Sequence, residues 1–524
     1  MAGADRPHGA GSASPEAFRS VGAGGGALLS GLHFGVTVLV TFFLAPYMLR
    51  RLGDTSYGLL SVAWELSGYF GLLDFGLRNA IGYYVARAAA SGEQSGLRTV
   101  IRNAFWLLCG ITGIGLLASW PLAALAVRWI RTGPLDESTV RSVLCLSFAV
   151  LALNLTGTLA GSVLSGLRRY DWLAATNIAG TLASGLFVFA AIEAGAGLLF
   201  VALAQAAGTM LPWVAQQFIL HRWKVISDLW PPALDKPVVK QLTSYGSANL
   251  LMRVSELLAF QTDQLVIVQH SGPAAVARYH IGRYLALHAR RLTAALSAVL
   301  APYFTALSAS GQKEESRTFF LRVNRWTCSL AFLLLGGVTA LGQPFLALWV
   351  GPRYLSGGVW ERSDTVLLLY GAAMILRSLM AVPYQYLLGT RRLRVPTAAL
   401  AVEALFIVAG GVFAIRWKGL AAVALVKLAS SIGIAVFTLV PYALRESGIP
   451  VREYLLRSIV PALLTGAATG VIALLFRHAM PVSSWAQLFL AASVSAAAGA
   501  AAFLAMSTAE DREFLRRKLR TPLG

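Results

Sequence analysis

The chain has 524 residues, 56% of them hydrophobic and only 13% charged, about half the roughly 25% typical of soluble proteins. That is too little polar surface to cover a soluble core of this size. The net charge of +20 would point a soluble protein toward nucleic acid, but membrane chains collect bases in cytoplasmic loops, so no nucleic-acid partner is expected.

In chain order, residues 1–25 are rich in Gly, Ala and Ser without an apolar core, and read as a disordered cytoplasmic tail. From Leu28, "LLSGLHFGVTVLVTFFLAPYML" has no acid or base over a length able to cross a bilayer as a helix. Such runs recur to the C-terminus, without the short alternating strands of an outer-membrane barrel. The fold class is an all-α polytopic membrane protein of about fourteen transmembrane helices. Its spans read 26–49, 56–88, 102–127, 142–165, 173–193, 196–220, 242–269, 274–306, 319–342, 363–389, 395–415, 419–444, 456–476 and 484–506. Most Lys and Arg between spans fall on one side if both termini are cytoplasmic. Cys109, Cys145 and Cys328 lie in apolar spans and read as core residues, not a disulfide or metal set.

A repeat appears at an offset of 219: Gly53 with Gly272, Tyr84 with Tyr303, Ser91-Gly92 with Ser310-Gly311, and Arg98-Thr99 with Arg317-Thr318. The matched elements are six spans apart, so the copies cross in the same sense. This predicts two parallel six-helix lobes around a central cavity, 26–220 and 242–444. A cytoplasmic inter-lobe linker at 221–241 joins them, and two additional helices follow within 445–506. The basic tail 507–524, with "DREFLRRKLR", is expected on the anionic inner membrane surface.

Charges in hydrocarbon are costly and tend to face a partner or a wet cavity. The second lobe carries Arg253, Glu256, Arg283, Arg290, Arg291 and Arg377 near mid-membrane, with Lys427 in span twelve. Arg290 and Arg291 have no acid within four residues on their own helix. Guanidinium binds phosphate oxygens bidentately, so Arg290, Arg291, Arg283, Arg377 and Arg253 are the candidate anion-binding set. The structural alternative is pairing with acids on neighbouring helices, such as Asp74, Asp263 or Glu403. In "YFGLLDFGLRNAIGYYVA", Asp74 and Arg78 share a helix face amid glycines. They read as a self-neutralising hinge; alternatively Asp74 or Glu65 carries a coupling ion. Glu256 stands three residues from Arg253 and is placed in the same hinge-or-coupling group. Trp64, Tyr69, Tyr279, Tyr284 and Tyr384 are candidate sugar contacts, although Trp and Tyr also gather at membrane interfaces.

Leu52-Gly53, Tyr57-Gly58 and Leu73-Asp74-Phe75-Gly76-Leu77, followed by a basic "SGE" loop, resemble the signature of bacterial polysaccharide transporters, the O-antigen and capsule flippases. These belong to the multidrug/oligosaccharidyl-lipid/polysaccharide exporter superfamily. The resemblance implies transport, from the inner to the outer leaflet, of an oligosaccharide on polyprenyl pyrophosphate, without ATP hydrolysis. It also implies a bacterial inner membrane, no cofactor, and glycan polymerases or glycosyltransferases as possible partners. No Gly-x-x-x-x-Gly-Lys-Ser/Thr phosphate loop occurs. The rival readings are a cation-coupled multidrug exporter, a membrane-embedded glycan polymerase or ligase, and a transport-dead scaffold. Bases exceed acids within the spans, which favours an anionic substrate over a cationic drug. The short outer loops and the lack of a metal-ligand cluster argue against an enzyme, so no catalytic or metal residue is assigned.

Overall fold

The computed structural model describes residues 23–507 apart from positions 71, 75, 92, 93, 227, 228, 231–233, 248, 249 and 299. The two tails read from the sequence lie largely outside the described residues. The protein is all-helical. Eleven helical runs among the described residues are long and apolar enough to cross a membrane. Among the described residues no strand or sheet edge has to be satisfied in hydrocarbon, because helices bond their backbone internally. Hydroxyls follow the same rule: Thr37 Oγ1 donates to the carbonyl of His33 and Thr41 Oγ1 to that of Thr37.

Contacts divide the described chain into two compact units. The first holds the chain up to Gly53 together with Ala63–Leu250; the second holds Asp54–Val62 and Leu251 onward. In the first unit, α1 (Ala23–Phe70) is followed by α2 (Leu77–Ser91), α3 (Gln94–Trp129), α4 (Glu137–Gly166), α5 (Tyr170–Glu193), α6 (Leu198–Arg222) and α7 (Lys236–Ser247). The second adds to its α1 segment α8 (Leu250–Ser271), α9 (Pro273–Ala298), α10 (Leu300–Ala309), α11 (Lys313–Trp349), α12 (Ser363–Leu379), α13 (Ala381–Gly389), α14 (Arg394–Lys418), α15 (Leu420–Ile434), α16 (Val440–Ser447), α17 (Val451–Tyr454), α18 (Val460–Ala479) and α19 (Trp485–Met506). Where helices approach closely, one contact partner lacks a side chain. A Cβ on Gly180 would overlap Pro212, and one on Gly208 would overlap Ser184, which seats α5 against α6.

Three of the fourteen sequence spans, the second, seventh and eighth, do not stand as separate candidates among the eleven. The first and second meet within α1 at Gly53, where the backbone leaves helical geometry at φ 78, ψ 168, in the break read between 49 and 56. The second is also cut, because the chain turns at residues 72–74 and 76 before α2 begins. The helices of spans seven and eight are present as α8 and α9, but each carries several charges and falls short in apolar composition. The 219-residue offset reappears in the backbone. Gly53 and Gly272 share φ 78, and Gln94 and Lys313 open α3 and α11. The segment read as an inter-lobe linker packs on the first unit. Trp223, Val225 and Ile226 are buried in that unit's core. Trp106 donates its indole N–H to the Leu229 carbonyl at 2.7 Å, and Asn103 accepts the Asp235 N–H at 2.6 Å.

Candidate functional site

The sequence-selected residues fall in both units. In the second, α8, α9, α12, α14 and α15 bring charges around one ring. The guanidinium of Arg290 lies 3.7 Å from the Phe260 centroid, that of Arg377 4.3 Å, and Lys427 Nζ 5.3 Å. An aromatic face attracts cations, but three like charges around it repel one another, and each has its own carboxylate. Lys427 is 2.9 Å from Asp263 Oδ2, both side chains wholly buried. Tyr279 donates to the same oxygen at 2.9 Å, and Lys427 also donates to the Ala259 carbonyl. Arg377 pairs with Glu403, which also accepts from Ser430 Oγ at 3.2 Å. Arg290 pairs with Glu256 at 3.4 Å, where Glu256 is 63% exposed.

The pairs differ in character. Lys427–Asp263 and Arg377–Glu403 are shut away, and a buried charge holds only while paired. The Arg290–Glu256 pair is long and open on the acid side, so another anion can compete for the guanidinium. Arg283 is buried and donates to the Phe260 carbonyl at 3.2 Å. Arg291 is exposed. The Arg253 side chain lies outside the described residues. Tyr279 and Tyr284 are buried in packing rather than set in a groove; Tyr284 stacks near Trp349, ring centroids 4.9 Å apart. His288 bonds the Tyr284 carbonyl one turn back at 2.9 Å.

In the first unit, Asp74 is buried and stands in the turn ahead of α2, not on a continuous helix face with Arg78. Its Oδ1 accepts the Gly76 N–H at 2.7 Å, and Gly76 takes φ 75. The carboxylate thus shapes the turn that aims α2. Arg78, one residue into α2, is exposed and lines a cavity of 660 Å³ between α2, α4, α5 and α6. Glu65 is half-buried in α1. The cavity was not found from the sequence. The signal was the run Asn154, Thr158, Gly161, Ser162 and Ser165, at helical spacing along one face of α4. Among the described residues, no group of three or more His, Cys, Asp or Glu side chains could hold a metal ion.

A family model described as "Polysaccharide biosynthesis protein" matches residues 24–308. The chain belongs to that family. The Bacillus subtilis (strain 168) protein named "Uncharacterized membrane protein EpsK" is 24% identical over 518 residues, 94% of this chain and 97% of that one. Among solved structures, lipid II flippase MurJ in an inward closed conformation is similar with a TM-score of 0.66 at 13% identity, over 93% of this chain and 99% of that one. An inward-facing multidrug resistance MATE family transporter of the MOP superfamily scores 0.65 at 14% identity, over 79% and 95%. At such identities the likeness is one of fold. The family member has a multi-pass helical fold like that of MurJ and of the MATE family transporter.

Proposed function

We propose that the protein flips a polyprenyl-pyrophosphate-linked oligosaccharide from the inner to the outer leaflet of the bacterial cytoplasmic membrane, by alternating access and with both termini cytoplasmic. The observation that carries this reading is the fold shared over 99% of the length of the lipid II flippase MurJ, in a chain of a polysaccharide biosynthesis family. On this reading α8, α9 and the α2 region also cross the bilayer as charged segments, which gives fourteen spans in two six-helix lobes and a C-terminal pair. Arg290 and Arg291 receive the anionic headgroup: Arg290 has the loosest of the three pairs around Phe260, and Arg291 is exposed beside it. Lys427, Arg377 and Arg283 hold the surrounding frame, and Asp74, Glu65 and Glu256 are the acids open to a coupling role. Polymerases or glycosyltransferases of the same glycan are the proposed partners.

Native mass spectrometry of protein gently extracted from its host membrane tests the reading. A bound anionic glycolipid is expected, lost in the Arg290→Ala/Arg291→Ala double variant. The MATE-like score supports a second reading, export of organic cations. A bound organic cation would favour it. A glycolipid indifferent to the double variant would retain the flippase and remove the two arginines from the headgroup site.

A further inference from the structure

The first unit's cavity has no counterpart in the function argued so far, and its wall has a distinct chemistry. Arg78 and Arg168 stand exposed at it, while the remaining polar groups are mostly amides and hydroxyls. Amides and hydroxyls both donate and accept hydrogen bonds. That suits a partner whose own groups do both, as sugar hydroxyls do, whereas a phosphate only accepts. The amides are held in place. Gln216, 4% exposed, donates from Nε2 to Thr176 Oγ1 at 2.9 Å and to Asn177 Oδ1 at 3.3 Å, which fixes the Asn177 oxygen. Gly157 and Gly161 open the α4 side: a Cβ on Gly157 would overlap the Trp213 ring, and one on Gly161 would press on Gln216 Oε1.

A second observation points to a ligand. Trp213 lines the cavity, and its indole Nε1 is buried with no hydrogen-bond partner among the described residues. A buried donor without an acceptor is costly, and an indole in a polar cavity provides both an apolar face and a directed N–H. The volume lies within the range of about 300–1,000 Å³ usual for small-molecule pockets. We infer that this cavity, walled by Asn154, Thr158, Asn177, Trp213 and Gln216, is a sugar-binding site belonging to the first unit alone. Trp213 supplies the N–H and an apolar face, the amides read hydroxyl or acetamido groups, and Arg78 and Arg168 favour sugars that carry a carboxylate. The inference rests on the glycan reading above, but its site lies apart from the arginines assigned to the headgroup.

Saturation-transfer NMR on the full chain in nanodiscs tests it. The probes are a neutral hexose, an N-acetylhexosamine, a hexuronate and, separately, inorganic pyrophosphate. At least one sugar should receive saturation at its ring protons. That signal should fall about threefold or more in Trp213→Phe, Asn154→Leu and Gln216→Leu, the scale of one lost hydrogen bond, and persist in Arg290→Ala/Arg291→Ala. Near-native thermal unfolding of Trp213→Phe, which removes the N–H but keeps a ring, guards against misfolding as the cause. No sugar signal, a signal unchanged in the three variants, a signal lost only in the arginine double variant, or pyrophosphate binding here without any sugar would each overturn the assignment. The two readings fail separately. A co-purifying glycolipid with no cavity-dependent sugar signal removes this site and leaves the flippase. A co-purifying organic cation with a cavity-dependent sugar signal does the reverse.

Discussion

The two units treat polar groups in opposite ways. Around Phe260, cations and carboxylates neutralise each other, and the tightest pairs have almost no exposed side-chain surface. Along α4 and α6, polar groups face an open cavity, and one indole N–H lacks a partner among the described residues. Charges in low dielectric demand each other, so they build a rigid frame. Neutral amides cost less to expose to a cavity and can wait for a ligand. The element order of the two units echoes at an offset of 219, yet the cluster around Phe260 uses its polar residues for internal pairing and the cavity of the first unit uses its own for lining.

The largest expected break in this comparison is Lys427→Met. It strands Asp263 without its cation and should destabilise the protein by about 3–5 kcal/mol. Thermal unfolding in detergent measures this, and Lys427→Met/Asp263→Leu should recover most of the loss. If the single variant unfolds like the parent, the second unit's pairs are not its frame. Next is Gly157→Val, which forces a side chain into the Trp213 ring and should cost about 1–3 kcal/mol while closing the cavity. A variant of normal abundance and unchanged transport would remove the cavity from function. Smaller is Asp74→Ala, which loses the bond to the Gly76 N–H and should cost about 1 kcal/mol. Asp74→Asn keeps an acceptor and should unfold near the parent temperature. Lost transport in Asp74→Asn at normal abundance would show that the carboxylate acts beyond the turn.

The smallest effect sharpens the first unit alone. Asp136 caps α4, accepting from the Ser138 hydroxyl and from the Ser138 and Thr139 N–H groups. The Ser138 bond above all holds its carboxyl below the usual Asp range. The folded state therefore favours the charged form. Its contribution is complete above the unfolded pKa and is lost as pH falls through the lower folded value. Unfolding temperatures should decline on acidification below the ordinary carboxylate range, and Asp136→Ala should flatten that slope slightly. An identical slope in the variant would exclude the cap as its source.

Most helix limits were legible because hydrocarbon imposes a length. The reading 173–193 meets α5 at Tyr170–Glu193, and 484–506 meets α19 at Trp485–Met506. The failures lie where a local break leaves apolar periodicity intact. The turn at 72–74 and 76 interrupts a run that is apolar apart from Asp74 and Arg78, and the break at Gly53 sits inside one apolar stretch. At the site, the residue types were visible because charge is rare in a span. The partners were not, since Lys427 meets Asp263 and Arg377 meets Glu403 only through packing of helices distant in sequence. Asn154, Thr158 and Ser162 were in plain view but uncharged, and small polar residues are also common as packing groups in membrane helices.

One short segment also sets a timetable. Residues 54–62 lie in the second half of α1 but belong to the second unit. There Tyr57 bonds His280 across 223 residues, and Asp54 bonds Arg353 across 299. At roughly 5–20 residues per second of synthesis, those partners emerge about 10 s to a minute later. Until then, the middle of the first helix is a loose end in a half-built protein. A ribosome stalled after α7 would leave the first unit's own helices made and this piece of the second still waiting for its partners.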